Sequence, residues 1–262
     1  MEIISFDISG KFAHFRKFYA TNTALTFSIP PRTTIMGMLA GITGKQKGTY
    51  HKEFSSENLR IGIAVKSSLK KSFHRLNFLK VENPKRKDNL EFRGVGNRIQ
   101  TPFEVVSGLN IKRDFVKYRI FISSIKGIEK PFNEIKNHLL EGRQIYNLTL
   151  GTANFSASIS NVTLFQRNEI TLTKANGETI EMNSAVIVTE DKQLDFDLLG
   201  VDTIYIEESL MPADFMENNN RELSKMNRVL FTTSNIPLKL KLTGQYFQLC
   251  KDDVIQNIQF LE

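Results

Sequence analysis

Between Lys11 and Tyr19 the chain interleaves four rings, Phe12, Phe15, Phe18 and Tyr19, with Lys11, His14, Arg16 and Lys17. Rings of this kind stack on bases and the neighbouring cations neutralise phosphates, so the pairing suits single-stranded RNA. The same residues also contain the ingredients of metal-independent RNA cleavage. A histidine such as His14 can move a proton, while Lys17 or Tyr19 stabilises charge building at a phosphate. Binding without cutting needs the same residue types, so both readings stand. The residues staked on RNA contact are His14, Phe15, Arg16, Lys17, Tyr19 and Arg32, with Phe15 or Tyr19 as the stacking partner. Phe12, Phe15 and Phe18 recur at threefold spacing and could equally be core. Arg32 follows Pro30-Pro31 at a helix start, where free backbone N–H groups and the helix dipole favour an anion.

A second group of cations lies further on. His74 stands beside Lys70, Lys71 and Arg75, and is a second candidate for proton transfer. Lys85, Arg86, Lys87, Arg93 and Arg98 could grip a nucleic-acid backbone or simply be solvated. Other chemistries lack their signatures. There is no GxxxxGK[ST] phosphate loop, and Gly94-Val95-Gly96 has no strand-to-helix context for a dinucleotide. His14, His51, His74 and His138 show no ligand spacing, so neither a metal nor a cofactor is expected. Cys250 is the single cysteine, which excludes an internal disulfide, and its apolar strand end suits packing better than nucleophilic attack.

Charge is distributed unevenly. The net charge is +7, which points to a polyanion. From Lys66 to Arg119 there are 14 Lys and Arg against 5 Asp and Glu, and from Glu178 to Glu222 there are 2 against 12. The basic half suits phosphates, and the acidic half suits solvent or a basic protein partner. Hydrophobic content of 40% over 262 residues is enough for a sizeable core. No apolar run reaches the length of a membrane span and the first residues do not read as a secretion signal, so a cytoplasmic protein with no membrane partner is expected.

The elements that must position these residues follow from periodicity. Glu2 to Ile8 reads as a strand, and the stretch from Pro30-Pro31 to Gly44 as a helix with proline at its start and glycine at its stop. Gly37 and Gly41 lie one turn apart on that helix and would let a sheet or a nucleic-acid backbone come close. Leu59 to Leu69 and Asp114 to Ser124 are strands, Lys130 to Glu141 an amphipathic helix, and Tyr146 to Gly151 a fourth strand. Lys70 to Lys112 is too long for an ordinary loop and reads as an extended, basic, flexible arm. The order strand, helix, strand, strand, helix, strand is that of the ferredoxin-like unit, which also underlies RNA-recognition domains, although no RNP-type string is present. Beyond Ser156, strands are expected at 161–172, 179–189, 202–207, 228–233, 237–242 and 246–249. Turns at Ala175-Asn176-Gly177 and Thr243-Gly244 separate them, and 211–226 reads as loop. The expected class is α+β, with residues 1–155 as a ferredoxin-like domain carrying the 70–112 insertion. A smaller β-rich part, 156–262, packs on it.

Two stretches carry a resemblance. GKFAHFRKFYATNTALTFSIPPRTTIMGMLAGITG, Gly10 to Gly44, resembles the opening of the CRISPR-associated Cas subunit five family, within the RAMP superfamily and nearest its type I-B branch. Tyr146-Asn147-Leu148-Thr149-Leu150-Gly151-Thr152-Ala153-Asn154-Phe155 is similar to the strand and glycine turn closing that family's first domain. The resemblance implies an antiviral-defence subunit of a type I Cascade surveillance complex that caps the 5′ handle of crRNA. It also implies contacts with the large subunit and the backbone subunits, and with target DNA inside the complex. The family's projecting thumb would coincide with the 70–112 arm. In the type I-C branch the equivalent protein cuts RNA with a Tyr, Lys and His set that does not map onto this chain residue by residue. The resemblance therefore favours a non-catalytic RNA-binding subunit. The alternatives are a metal-independent endoribonuclease processing CRISPR repeat RNA, or an unrelated basic domain that binds another polyanion.

Overall fold

The computed structural model describes residues 1–21, 23–79, 98–189, 192–194, 206–216 and 222–262. The first strand, β1 (Ile3–Gly10), sends Ile4, Phe6 and Ile8 to one face, where they are buried. Two short strands, β2 (Phe12–Ala13) and β3 (Phe15–Arg16), lead through a loop to β4 (Thr26–Phe27). Helix α1 (Arg32–Thr43) starts after Pro31 and stops at Gly44, whose φ of 75° is the left-handed conformation that closes a helix. Then come β5 (Leu59–Val65), β6 (Leu69–Leu79), β7 (Arg98–Gly108), β8 (Val116–Ser124) and α2 (Lys130–Leu140).

The central sheet has the order β5-β8-β1, with every pair antiparallel. Its register aligns Ile4, Ile122 and Ile61 in one row, Phe6, Ile120 and Ile63 in the next, and Ile8, Tyr118 and Val65 in a third. These rows meet Ile35, Met36 and Leu39 of α1 and Phe132, Ile135 and Leu139 of α2 in one continuous core. Burial of such side chains contributes roughly 25 cal/mol per Å² of apolar surface, which makes this layer the main source of stability. On the opposite face Ile3, Ala64 and Phe121 pack against Leu249, Ile258 and Phe260.

The remaining strands are β9 (Ala157–Phe165), β10 (Ile170–Met182), β11 (Val186–Ile187), β12 (Lys192–Leu194), β13 (Ile206–Phe215), β14 (Leu223–Thr232), β15 (Leu238–Lys251) and β16 (Val254–Ile258). Here the structure corrects the sequence reading in several places. The fourth strand of the central sheet is β9, paired to β1, and not 146–151, which forms a loop bridged once through Thr149 and Ser156. Residues 156 onward therefore do not separate cleanly from the first part. Ala185, Met211, Val229, Phe231 and Leu261 also join the core under α1.

The Asn-Gly and Thr-Gly signals are not turns. Ala175 pairs with Gly244 and Asn176 with Thr243 inside one long ribbon of β10 and β15, and the register shifts beside Gly177 at φ 99°. Glycine allows the positive φ of a bulge as readily as that of a turn, and sequence alone does not separate the two. The strands expected at 237–242 and 246–249 are consequently one. Residues 211–215 and 223–226, read as loop, belong to the paired strands β13 and β14. On α2, Leu140 is 53% exposed, whereas His138 is buried with Phe132, Ile135 and Leu139.

Candidate nucleic-acid interface

The aromatic loop is fastened on two sides. On one, Ala24 bridges Phe103, the Glu104 N–H donates to the Ala24 carbonyl, and the Thr26 N–H donates to the Glu104 carboxylate at 2.8 Å. On the other, the His14 N–H donates to the Leu150 carbonyl at 2.9 Å. Gly151, at φ 98°, sits so close that a Cβ there would lie 1.8 Å from the His14 carbonyl oxygen. Gly10 is confined too, though less tightly, where a Cβ would lie 2.7 Å from the Ser156 carbonyl oxygen and 2.9 Å from the Leu150 side chain. The two stretches that carry the family resemblance thus fold onto one another.

Between them and the β6–β7 ladder lies a cleft of about 850 Å³, lined by His14, Arg16, Thr34, Phe78, Ile99, Thr101, Phe103, Gly151 and Thr152 among others. Strand register puts Phe78, Ile99, Thr101 and Phe103 on one face of the ladder, because Phe78 opposes Ile99 and Leu76 opposes Thr101. Phe78 and Ile99 are 41% and 49% exposed, an apolar wall open to a ligand. A second groove of about 340 Å³ shares Thr34 and Gly151 with the cleft and runs past Gly37 and Gly41. The two helix glycines therefore open mainly onto this groove. Their nearest neighbours, at ordinary contact distance, are the Tyr50 hydroxyl and the Leu148 side chain. A larger recess of about 1070 Å³ lies elsewhere, beside Arg60, Phe247 and Glu262.

His14 is buried, and its ring stacks on Phe103 with centroids 3.9 Å apart. Its Nδ1 lies 2.7 Å from the Glu104 carbonyl oxygen. A carbonyl only accepts, so Nδ1 carries the hydrogen and Nε2 is left with a lone pair. Burial holds the His14 pKa below its ordinary value, nearby Arg16 pushes the same way, and the Glu104 carbonyl opposes both.

Of the other residues singled out in sequence, Arg16 is exposed at the cleft and donates to the Ala20 carbonyl at 3.3 Å. Lys17 lies over the rings of Tyr19 and Phe27, at 5.9 and 5.5 Å. Tyr19 is 56% exposed and meets Phe18 edge-on. Arg98 is exposed at the far end of the ladder, opposite Leu79. His74 is also exposed on the ladder, with its Nε2 3.0 Å from the Ser72 hydroxyl. Lys85, Arg86, Lys87 and Arg93 lie outside the described residues.

Three residues are corrected. Phe15 lines the floor of the cleft but is core, 2% exposed and packed edge-on to buried Tyr118, so it offers almost no surface to a base. Arg32 is buried and bound at every side but Nε. Nη1 pairs with Asp214 at 2.7 Å, and Nη2 donates to the carbonyls of Leu59 and Phe54 at 2.6 and 3.1 Å. A buried guanidinium needs such partners to offset lost hydration, so Arg32 knits α1 to β13 and to the 54–59 turn. Cys250, expected to pack, is exposed on β15. What sequence reading missed is the cleft wall of Phe78, Ile99, Thr101 and Phe103. The alternation of Phe103, Val105 and Ser107 was the available signal for a paired strand.

A four-stranded antiparallel sheet backed by two helices, with a β-rich second part sharing its core, defines an α+β chain with a cleft beside the β6–β7 ladder. The chain belongs to the CRISPR-associated protein (Cas_Cas5) family, whose model matches residues 3–213. No curated protein matches it in sequence. Among solved structures, a CRISPR protein from Archaeoglobus fulgidus is similar with a TM-score of 0.56 and 14% identity, over 98% of this chain and 99% of that one. A chain of a CRISPR RNA-guided surveillance complex gives 0.48 at 12% identity, over 90% of each. The likeness to the archaeal protein is one of fold.

Proposed function

We propose that this chain is a non-catalytic RNA-binding subunit of a type I CRISPR surveillance complex, of the I-B kind, and that it caps the 5′ handle of crRNA. The supporting observation is the cleft into which the two family-like stretches and the ladder all fold, walled by exposed Phe78 and Ile99 over buried Phe103 and carrying Arg16 at its edge. Single-stranded RNA is held by such a combination of ring surfaces and backbone cations. In this reading the first part is a ferredoxin-like unit and the β6–β7 ladder is the base of its thumb. The large and backbone subunits and target DNA are its neighbours in the assembly.

Cleavage is the weaker reading on geometry. His14 Nε2 keeps its lone pair, but Lys17 and Tyr19 do not line the cavity that His14 lines. A general acid or base must lie within hydrogen-bond reach of the proton it moves, beside its partners.

Purified protein incubated in EDTA with its own repeat RNA separates the two. Tight, salt-sensitive binding with intact RNA is the expected result. A defined cut abolished by His14→Ala would replace this reading with the endoribonuclease, and absence of any preference for repeat RNA would leave only a generic polyanion binder.

A further inference from the structure

The cleft is poorly suited to a phosphate and well suited to a base. Among the described residues that line it, Arg16 is the one Lys or Arg, and it sits at the exposed edge. The rest of the described wall is apolar or neutral: Phe15, Phe78, Ile99 and Phe103, with Ala24, Gly151 and four threonines, Thr21, Thr34, Thr101 and Thr152. His14 completes it with a lone pair on Nε2, which makes no hydrogen bond to any described residue. A lone pair repels the oxygens of a phosphate and attracts an N–H. The ring cannot turn to exchange its nitrogens without breaking the 2.7 Å bond to Glu104 and the stack on Phe103.

Resting on the RNA-binding reading above, we infer that the cleft takes one splayed-out nucleobase and that His14 Nε2 accepts a hydrogen bond from its exocyclic amine. The amines of adenine and cytosine project beyond the ring and reach an acceptor in the wall. The imino N–H of uracil lies between two carbonyl oxygens that would face the same lone pair. Phe78 supplies the free ring surface for stacking, since one face of Phe103 is already covered by His14. His14 is thus a specificity residue for amine-bearing bases, not a phosphate ligand.

The test uses the full chain and two short single-stranded RNAs, oligoadenylate and the same oligomer built from purine riboside, which lacks only the amine. At pH 7.5 and low salt the wild type should bind oligoadenylate about fivefold more tightly, the worth of one hydrogen bond. His14→Phe, which keeps the stack on Phe103, should bind both oligomers equally with an unchanged salt slope, because a neutral contact releases no counterion. With ¹⁵N-histidine in the wild type, the Nε2 resonance of His14 should move on adding oligoadenylate and stay put with the purine-riboside oligomer. This reading does not depend on any variant folding. Equal affinities in the wild type, an amine preference that survives His14→Phe, or an unmoved resonance overturns the base assignment and leaves RNA binding standing. Failure of both oligomers and of repeat RNA to bind overturns both.

Discussion

At the residue scale the buried Arg32–Asp214 pair shows how a plausible ligand-binding residue becomes a structural one. An arginine at a helix start can hold an anion, and here the anion is Asp214, with the Ser56 N–H donating to the same carboxylate. Asp214→Ala leaves a buried, unpaired guanidinium and should cost about 3–5 kcal/mol in urea unfolding. Arg32→Met combined with Asp214→Leu removes both charges, and should recover most of that loss and bind repeat RNA like wild type. Weakened RNA binding in the folded double variant would return Arg32 to the interface. Gly151→Ala should be among the most damaging small changes in the chain. Its Cβ meets the His14 carbonyl oxygen, and its φ is one that alanine rarely adopts. A thermal melt within a few degrees of wild type would contradict that packing.

At the scale of elements, three strands of the central sheet, β1, β5 and β8, and the two helices were legible because each has a clear period, with a proline at the start of each helix. The boundaries that failed are those where glycine has two uses. Gly177 and Gly244 look like turn residues and serve a bulge across one ribbon, since the long-range pairing of β10 with β15 leaves no local mark. Residues 146–151 look like a strand, but the Gly10–Ser156 approach reserves the sheet edge for β9. The cleft was half legible. Its loop and glycine turn were seen, and its ladder wall was not, because a mixture of cations and rings reads as a solvated arm until pairing shows which side each residue takes.

The closure over β5 adds a pH dependence. The Ile61 N–H donates to the Glu262 carboxyl at 3.0 Å, and burial, only partly offset by that bond, raises the Glu262 pKa to about 7. The folded state therefore binds this proton more tightly than the unfolded chain. The associated stability is fully present below about pH 4.5 and is lost as pH rises through 7, up to about 3 kcal/mol. Glu262→Gln should gain on wild type as pH goes from 4.5 to 8, and parallel stability curves would refute the raised pKa. His14 acts in the opposite sense. Its depressed pKa leaves its contribution intact above about pH 6.5 and erodes it as pH falls.

At the scale of the whole molecule, the charges of the basic half divide by role. Lys71 is paired with Glu207, and Arg119 is bound to Asp7 at 2.7 Å. Arg16 and Arg98 are exposed. Arg16→Ala and Arg98→Ala should each reduce the slope of log affinity against log salt by about one unit if each holds one phosphate. Arg119→Ala should leave the slope unchanged and lower stability. Replacing residues 80–97 with a short linker removes Lys85, Arg86, Lys87 and Arg93, and should flatten the slope further and impair assembly with neighbouring subunits while the melt is preserved. Collapse of the melt would instead assign those residues to the core.

The claim that the cleft holds single-stranded RNA is tested most directly by photocrosslinking. Repeat-derived RNA carrying 8-azidoadenosine, which keeps the exocyclic amine, at each handle position in turn, crosslinked to the full chain and read by mass spectrometry, should mark peptides containing Arg16, Phe78 and Ile99. Crosslinks confined to the recess beside Arg60 and Phe247, with none at the cleft, would contradict the account.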